Sequence, residues 1–284
     1  MTRRAKIFLF ILAAIFLISI ALFFFFQISS QNLEVVFHDV GQGDSVLIKS
    51  PFGQNILIDG GSDSSILLGL GKELTWWDRK IDLMILTHPH DDHVTGLIKV
   101  LKRHKVDKVL YTGALHNSPN YLKWLEIIKD KKIPLVIADK KQKIVLGEGL
   151  ILEIIYPRKS FLNKHSPNLN NTSIVAKLIY KKNSFLFSGD IEEDGELELL
   201  DKNTDLKAEV LKIAHHGSDT SSLDKFLEAV SPQIAVILVG ENNVFGFPSK
   251  RVLRRLKEKN IKVFRTDLDR TIKLVSDGER VYRK

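Results

Sequence analysis

The sequence predicts an α+β domain, two sheets packed together with helices outside, preceded by one transmembrane helix. Three observations predict it. An uncharged apolar run covers residues 7–26, directly behind Met-Thr-Arg-Arg-Ala-Lys. The 253 residues from Asn32 to Lys284 then alternate strand-like and helix-like patterns, with no linker, low-complexity stretch or repeat period. The 284-residue chain is 44% hydrophobic and 27% charged, an ordinary globular balance that supplies a full core. Residues 1–31 are therefore read as an anchor and residues 32–284 as one domain.

At about 1.5 Å per residue the apolar run spans roughly 30 Å, the hydrocarbon thickness of a bilayer. Arg3, Arg4 and Lys6 precede it and no acidic residue occurs before Glu34. The positive-inside rule then keeps the N-terminus cytoplasmic and, in a bacterium, places the domain outside the cell membrane. A cleaved signal peptide is the competing reading, but its apolar region covers only about 7–15 residues before a small-x-small site. Here four phenylalanines at 23–26 continue the run into Gln-Ile-Ser-Ser-Gln. An uncleaved, single-pass anchor is preferred.

Residues 33–40, 45–49 and 55–59 read as strands joined by Gly-rich turns at 41–44 and 51–53. Residues 81–86 are an apolar run of strand length. Residues 94–104 place apolar side chains at 94, 97, 98 and 101, a helical spacing. A strand at 106–111, a helix at 121–131 and a short strand at 135–138 follow. In the second half, strands fall at 150–155, 174–180, 184–188 and 210–214, with a helix at 192–200. Helices at 222–230 and 250–259 flank a strand at 234–239, and strands at 261–265 and 271–275 close the chain.

The stretch Thr-His-Pro-His-Asp-Asp-His-Val-Thr-Gly at 87–96 carries the most chemistry. His88 and His90 alternate, so on an extended segment they point the same way. Asp92 and His93 follow where the chain turns into a helix. Imidazole and carboxylate donors suit zinc or manganese, and a catalytic site leaves coordination positions open. There is no cysteine, which excludes disulfides, thiolate ligands and lipid attachment to cysteine. The formal charge of +8 is compatible with an anionic substrate or membrane surface. Lysine clusters such as 129–132 and 140–141 read as solvated loops, and no aromatic–basic stacking platform for nucleic acid is legible. Trp76-Trp77 are too short a feature to supply one and read equally as core or as rim of the site.

A two-metal hydrolase needs about three protein ligands per metal, more than the decapeptide supplies. Asp190 ends the strand-like Phe-Leu-Phe-Ser-Gly-Asp at 185–190, and its carboxylate either bridges two metals or caps a helix. His215-His216-Gly217-Ser218 follows another strand. At least one of this pair reads as a ligand or a proton-transfer group.

Together these residues resemble the metallo-β-lactamase superfamily, whose His-x-His-x-Asp-His signature matches His88, His90, Asp92 and His93 without a gap. The motifs Phe-His-Asp-Val-Gly-Gln-Gly-Asp-Ser (37–45), Ile-Leu-Ile-Asp-Gly-Gly (56–61), Ser-Gly-Asp (188–190), His-His-Gly-Ser (215–218), Ser-Pro (231–232) and Arg-Thr-Asp (265–267) are similar to the C-terminal hydrolase domain of ComEC-type competence proteins. The resemblance covers residue 33 to about residue 276. It implies a four-layer αββα sandwich, two divalent metal ions at the strand ends between the sheets, and a function in DNA uptake with degradation of the strand not imported. Four departures stand out. Much of the subgroup has Asp where this chain has His90. The histidine of the superfamily's third motif is absent, with Asn170 and Asn171 near its place; His165 is close by but reads as a surface residue. A histidine that follows Tyr-Gly in the subgroup is replaced in Phe245-Gly-Phe247-Pro248. The single apolar segment also lacks the many spans of a competence channel.

The ligand set that follows is His88, His90 and Asp190 for one metal, and Asp92, His93, Asp190 and one of the 215/216 pair for the other. Of that pair, His215 is assigned as the ligand and His216 as the acid that protonates the leaving oxygen; Asp92 is the other residue assigned to catalysis. Asp39, Asp44 and Asp59 either orient imidazoles as outer partners or make local turn bonds; Asn170 and Asn171 are placed in the same outer group. The expected activity is a zinc- or manganese-dependent phosphodiesterase acting on DNA. Its further partners are the membrane, through the N-terminal helix, and a separate DNA-uptake channel. Hydrolysis of another anionic ester, such as a phosphorylcholine or lipid phosphodiester, is the first alternative; a non-catalytic DNA- or channel-binding subunit is the second.

Overall fold

The structure, a computed structural model, describes residues 3–28, 32–75, 78–201 and 204–284. Trp76 and Trp77 lie outside the described residues. Helix α1 (Arg3–Ile28) is long and apolar enough to cross a membrane: its window Arg3–Ala21 has a mean hydropathy of 2.2, and none of it is buried against the rest of the chain.

Strands β1 (Leu33–Phe37), β2 (Val46–Lys49) and β3 (Asn55–Ile58) form an antiparallel meander. Helix α2 (Ser65–Glu73), β4 (Lys80–Ile81), β5 (Leu83–Ile85), helix α3 (Asp91–Arg103), β6 (Lys105–Val106), β7 (Val109–Tyr111), helix α4 (Pro119–Asp130) and β8 (Leu135–Ile137) follow. β3, β5, β7 and β8 are parallel, while β4 and β6 make a separate two-stranded ribbon. The second sheet opens with β9 (Gln142–Gly147), β10 (Leu150–Tyr156), β11 (Val175–Tyr180) and β12 (Asn183–Phe187), all antiparallel. It continues in parallel through α5 (Glu193–Asp201), β13 (Val210–Lys212), α6 (Asp224–Val230), β14 (Ile234–Ile237), α7 (Lys250–Glu258) and β15 (Lys262–Arg265). A helical turn, α8 (Thr266–Asp269), leads to β16 (Ile272–Ser276) and β17 (Val281–Arg283), and β16 returns to pair with β1.

Three apolar layers hold the four-layer sandwich together. Val35, Ile48, Ile58 and Ile85 of the first sheet meet Leu152, Leu178, Phe185 and Val236 of the second in the central core. The opposite face of the first sheet, with Val36, Leu47, Leu57 and Met84, packs on α2, α3 and α4. On the far side, Leu186, Leu211, Ala235 and Ile237 pack on α5, α6 and α7. The alternation of Val35 and Phe37 with Val36 between two cores is the period of two that a strand imposes.

Several boundaries differ from the sequence reading. The runs 81–86 and 106–111 each divide into two strands. Asp82 accepts from the Asn55 amide at 2.8 Å and from the Lys80 ammonium at 2.6 Å, which draws the chain out of the ladder. Helix α3 begins at Asp91, not 94, so Asp92 and His93 lie on its first turn, where acidic side chains complement the helix dipole. Asp91 is spent on fastening α4, accepting from Ser118 Oγ and from Asn120 Nδ2 at 3.0 Å. Helix α2 and edge strand β9 went unread because they carry weak patterns. The former buries only Ile66 and Leu70, and the latter keeps Lys143 and Val145 exposed.

Candidate metal centre

The site forms where β3, β5, β12 and β13 end, at the carboxyl edge of both parallel halves. Asp59 leaves β3, His88 follows β5, Asp190 follows β12, and His216 follows β13. Helix α3 is pressed against the exit from β3 by close backbone contact, to which a His93–Asp59 side-chain bond adds. Gly96 N donates to Gly61 O at 3.0 Å and Gly60 N to His93 O at 2.8 Å, and a Cβ on Gly96 would collide with the Gly60 carbonyl. Asp59, His215 and His216 all hold left-handed backbone, with φ of 57°, 48° and 53°. Such strain in non-glycine residues costs of order 1–3 kcal/mol each and is found where a site over-determines the chain.

One carboxylate oxygen lies at the centre. Asp190 Oδ2 is 3.2 Å from His93 Nε2, 3.3 Å from His216 Nε2 and 4.0 Å from His88 Nε2. His216 Nε2 also lies 3.1 Å from Asp92 Oδ2, and Asp92 Oδ1 is 3.8 Å from His93 Nε2. His90 Nδ1 is 2.9 Å from His88 Nε2. Among the described residues, His88, His93 and Asp190 form one group of converging donors, and Asp92, His93 and His216 another.

A second ring fixes the imidazoles. His93 Nδ1 donates to Asp59 Oδ2 at 2.8 Å, and Asp59 is itself held by the Thr87 amide at 2.8 Å and hydroxyl at 2.6 Å. His216 Nδ1 donates to the Leu238 carbonyl at 2.9 Å, leaving Nε2 as the inward donor atom. Asp44 Oδ1 is 3.3 Å from the same nitrogen without hydrogen-bond geometry. Lys212, 2% exposed, bonds Asp44, the Gly189 carbonyl at 2.8 Å and Asp190 Oδ1 at 3.3 Å. It thereby occupies one oxygen of Asp190 and leaves Oδ2 to face the histidines.

The electrostatics follow from this crowding. Burial would raise the Asp190 carboxyl, but His216, His93 and Lys212 outweigh it and hold the group well below its ordinary range. Burial also disfavours a charged imidazole, yet Asp190, Asp92 and Asp59 push His93 well up. Asp190 and Asp44 do the same for His216. Burial, helped by the charge on His93, holds His88 neutral. The carboxylates thus favour positive charge at their centre, which a divalent cation would supply on binding. Buried imidazole and carboxylate donors without thiolates fit such an ion.

The structure places the expected residues unequally. His88, His90, Asp92, His93 and Asp190 come together. The 215/216 pair reverses its expected division: His216 enters the cluster, whereas His215 turns outward, its Nδ1 3.2 Å from Glu192 Oε1. Two successive left-handed residues send adjacent side chains apart. Asp44 and Asp59 reach imidazoles, but Asp39 does not. Its Oδ1 accepts from the Gly41 amide at 3.3 Å, a local turn bond, and Oδ2 faces Arg270 at 3.6 Å. Asn170 and Asn171 do not face the donors either; Asn170 Nδ2 donates to Glu192 Oε1 at 3.1 Å, and Asn171 Oδ1 accepts from the Glu192 amide. His165 is exposed. Sequence reasoning missed Lys212, Thr87, Glu192 and His116, whose ring lies 6.1 Å from that of His90. Only the position of Lys212, inside the strand leading to His215-His216, was a usable signal.

A family profile described as the metallo-beta-lactamase superfamily matches residues 38–241, which takes in the whole of this centre. The chain belongs to the metallo-β-lactamase superfamily. This is a family of metal-dependent hydrolases whose fold binds divalent metals, typically two. The metallo-β-lactamase fold is also that of the protein YhfI from Bacillus subtilis, whose crystal structure matches with a TM-score of 0.53 at 11% identity, over 89% of this chain and 99% of that one. Zn(2+)-bound PqqB from Methylobacterium extorquens matches with a TM-score of 0.53 at 10% identity, over 82% of this chain and 97% of that one. Within the superfamily, the expected resemblance to ComEC-type competence proteins is met. ComE operon protein 3 of Bacillus subtilis is 30% identical over 274 residues, 88% of this chain and 34% of that protein. Competence protein ComA of Neisseria gonorrhoeae is 29% identical over 237 residues, 81% of this chain and 30% of that protein. The chain therefore spans about a third of the length of these relatives.

Proposed function

We propose that this metallo-β-lactamase domain is a membrane-anchored, extracytoplasmic phosphodiesterase that acts on DNA during its uptake. The observation that carries the reading is the single Asp190 oxygen shared between His93 and His216 at 3.2 and 3.3 Å, with His88 at 4.0 Å. In this reading His88, His90 and Asp190 hold one metal, and Asp92, His93, Asp190 and His216 the other. Zinc and manganese both suit these donors. Bound there, two divalent ions supply a nucleophile of lowered pKa and stabilise charge developing at phosphorus.

The chain's own residues do the rest. Asp59 and the Leu238 carbonyl fix which nitrogen of His93 and His216 faces inward. Lys212 keeps Asp190 from turning its other oxygen to the centre. His215, at the rim and oriented by Glu192, protonates the leaving oxygen. DNA as substrate draws on the named competence relatives and on the basic charge of the chain. Residues 1–31 are the anchor and residues 32–284 the enzyme, with Arg3, Arg4 and Lys6 holding the N-terminus in the cytoplasm; a separate DNA-uptake channel is the partner that fits this placement.

The test is turnover of single- and double-stranded DNA, a phosphorylcholine ester and a phospholipid by the purified chain, with zinc and with manganese. Cleavage of DNA above the other esters is expected. A preference for the phosphorylcholine or lipid ester would replace the substrate, and metal binding without turnover of any of them would make the chain a binding subunit.

A further inference from the structure

The loop between β14 and α7 leaves an apolar tip in solvent beside the metal centre. Val244 is 92% exposed and Phe245 63%. The loop is braced to hold them there. Asn243 Nδ2 donates to the Gly240 and Phe247 carbonyls, both at 2.9 Å, and Asn243 Oδ1 accepts from the Phe247 amide at 2.9 Å. Gly246, with φ of 70°, makes the turn, and Gly240 N donates to Gln42 Oε1 at 3.2 Å. Scattered exposed apolar residues are ordinary; a ring fixed outward by its own loop, beside a reaction centre, is not.

The rings form a row. Phe245 lies 5.5 Å from Phe247 with planes 15° apart. Phe247 lies 5.6 Å from His215 and 6.4 Å from His216, the latter with planes 29° apart. An aromatic row therefore runs from solvent to the two histidines at the centre, and its outer face is the exposed side of Phe245. Lys250 and Arg251, both exposed, begin α7 three residues further on. A flat apolar face ending at a phosphodiester-cleaving centre suits a base attached to a phosphate backbone. The Phe245 and Phe247 planes are only 15° apart, a surface matched to a planar group.

We propose that Phe245 and Phe247 form a stacking platform for an unpaired nucleobase next to the scissile phosphodiester, which makes the enzyme prefer single-stranded nucleic acid. This rests on the phosphodiesterase reading above. A base in a duplex has both faces covered, whereas a base in a single strand can stack on a protein ring, independently of sequence.

The test uses the full chain in detergent, loaded with metal, on two single strands of equal length: oligothymidylate and one carrying only abasic sites. Wild type, Phe245→Ala and Phe245→Trp are compared. Phe245→Ala is expected to raise KM on oligothymidylate about tenfold, within what one base–aromatic stack contributes. Its kcat is expected to stay within about twofold and its KM on the abasic strand to stay unchanged, with Phe245→Trp restoring the wild-type KM. An equal change on both strands, or none on either, overturns the platform. Binding of the same strands by fluorescence anisotropy separates this proposal from the hydrolase reading. If wild type cleaves neither strand but binds oligothymidylate more tightly, and Phe245→Ala erases that preference, the platform stands and the hydrolase reading fails. If wild type binds both strands equally, the platform fails whatever is cleaved.

Discussion

His38, just past the end of β1, is buried with neither ring nitrogen hydrogen-bonded. Burial, with the charge of Lys273 adding to it, pulls its pKa down to about 4. The folded value lies below the unfolded one, so between pH 6.5 and 4 the unfolded chain binds a proton that the folded chain refuses. Stability is intact above that window and falls as pH drops through it, by roughly 3 kcal/mol in all. His38→Leu is expected to flatten this part of the profile; urea midpoints at pH 7 and 4.5 for both proteins measure it, and equal slopes would contradict it. Residue-scale detail was the least legible in the sequence. His38 falls within a family motif, yet its packing beside Gly69 depends on a helix with almost no pattern. His215 and His216 were indistinguishable as letters, because their division rests on two left-handed φ angles. Asp39, Asp44 and Asp59 look alike in sequence, and only the fold decides that Asp39 bonds its own turn while the others reach imidazoles.

At the scale of elements, α3 is the part that must not move, since Asp92 and His93 occupy its first turn. Its seat is glycine on glycine: Gly96 against Gly60 and Gly61, with no side chain between. Gly96→Ala adds a methyl group where the Gly60 carbonyl lies. The expected cost is about 1–3 kcal/mol, typical of an overpacked contact, with metal affinity falling as the helix is pushed off. Denaturant unfolding and metal titration read both effects, and an unchanged midpoint would show that α3 has room to spare. The elements were largely readable from hydrophobic period, because both faces of each sheet are buried and give long apolar runs. Those that escaped, α2, β9, α8 and β17, are short or lie at edges, where burial on one side leaves little pattern. The decapeptide was legible as a donor cluster because five of its six central residues can bind a metal. For Lys212 the one signal was its place in the strand leading to His215-His216, because a lysine in a strand reads as solvated until its partners are known.

For the whole molecule, the two parallel half-sheets bring their carboxyl edges to one place, and the Arg3–Ala21 window of α1 is not buried against the domain. A protein beginning at Asn32 is therefore expected to stay soluble without detergent and to keep its turnover within about twofold, because the core is complete without the anchor. Aggregation or loss of turnover would mean that the helix supports the fold. In the proposed function Asp190 joins two metal sites into one hydrolytic centre. This is tested most directly by metal content and DNA turnover measured on the same preparations of wild type and Asp190→Asn. Wild type is expected to hold two divalent ions, to lose turnover on chelation and to regain it on metal return. Asp190→Asn is expected to lose a metal and to fall beyond the roughly 10–100-fold typical of an outer-shell partner. Full turnover in the Asp190→Asn protein, or undiminished turnover by a metal-free wild type, would rule out a two-metal centre joined by Asp190.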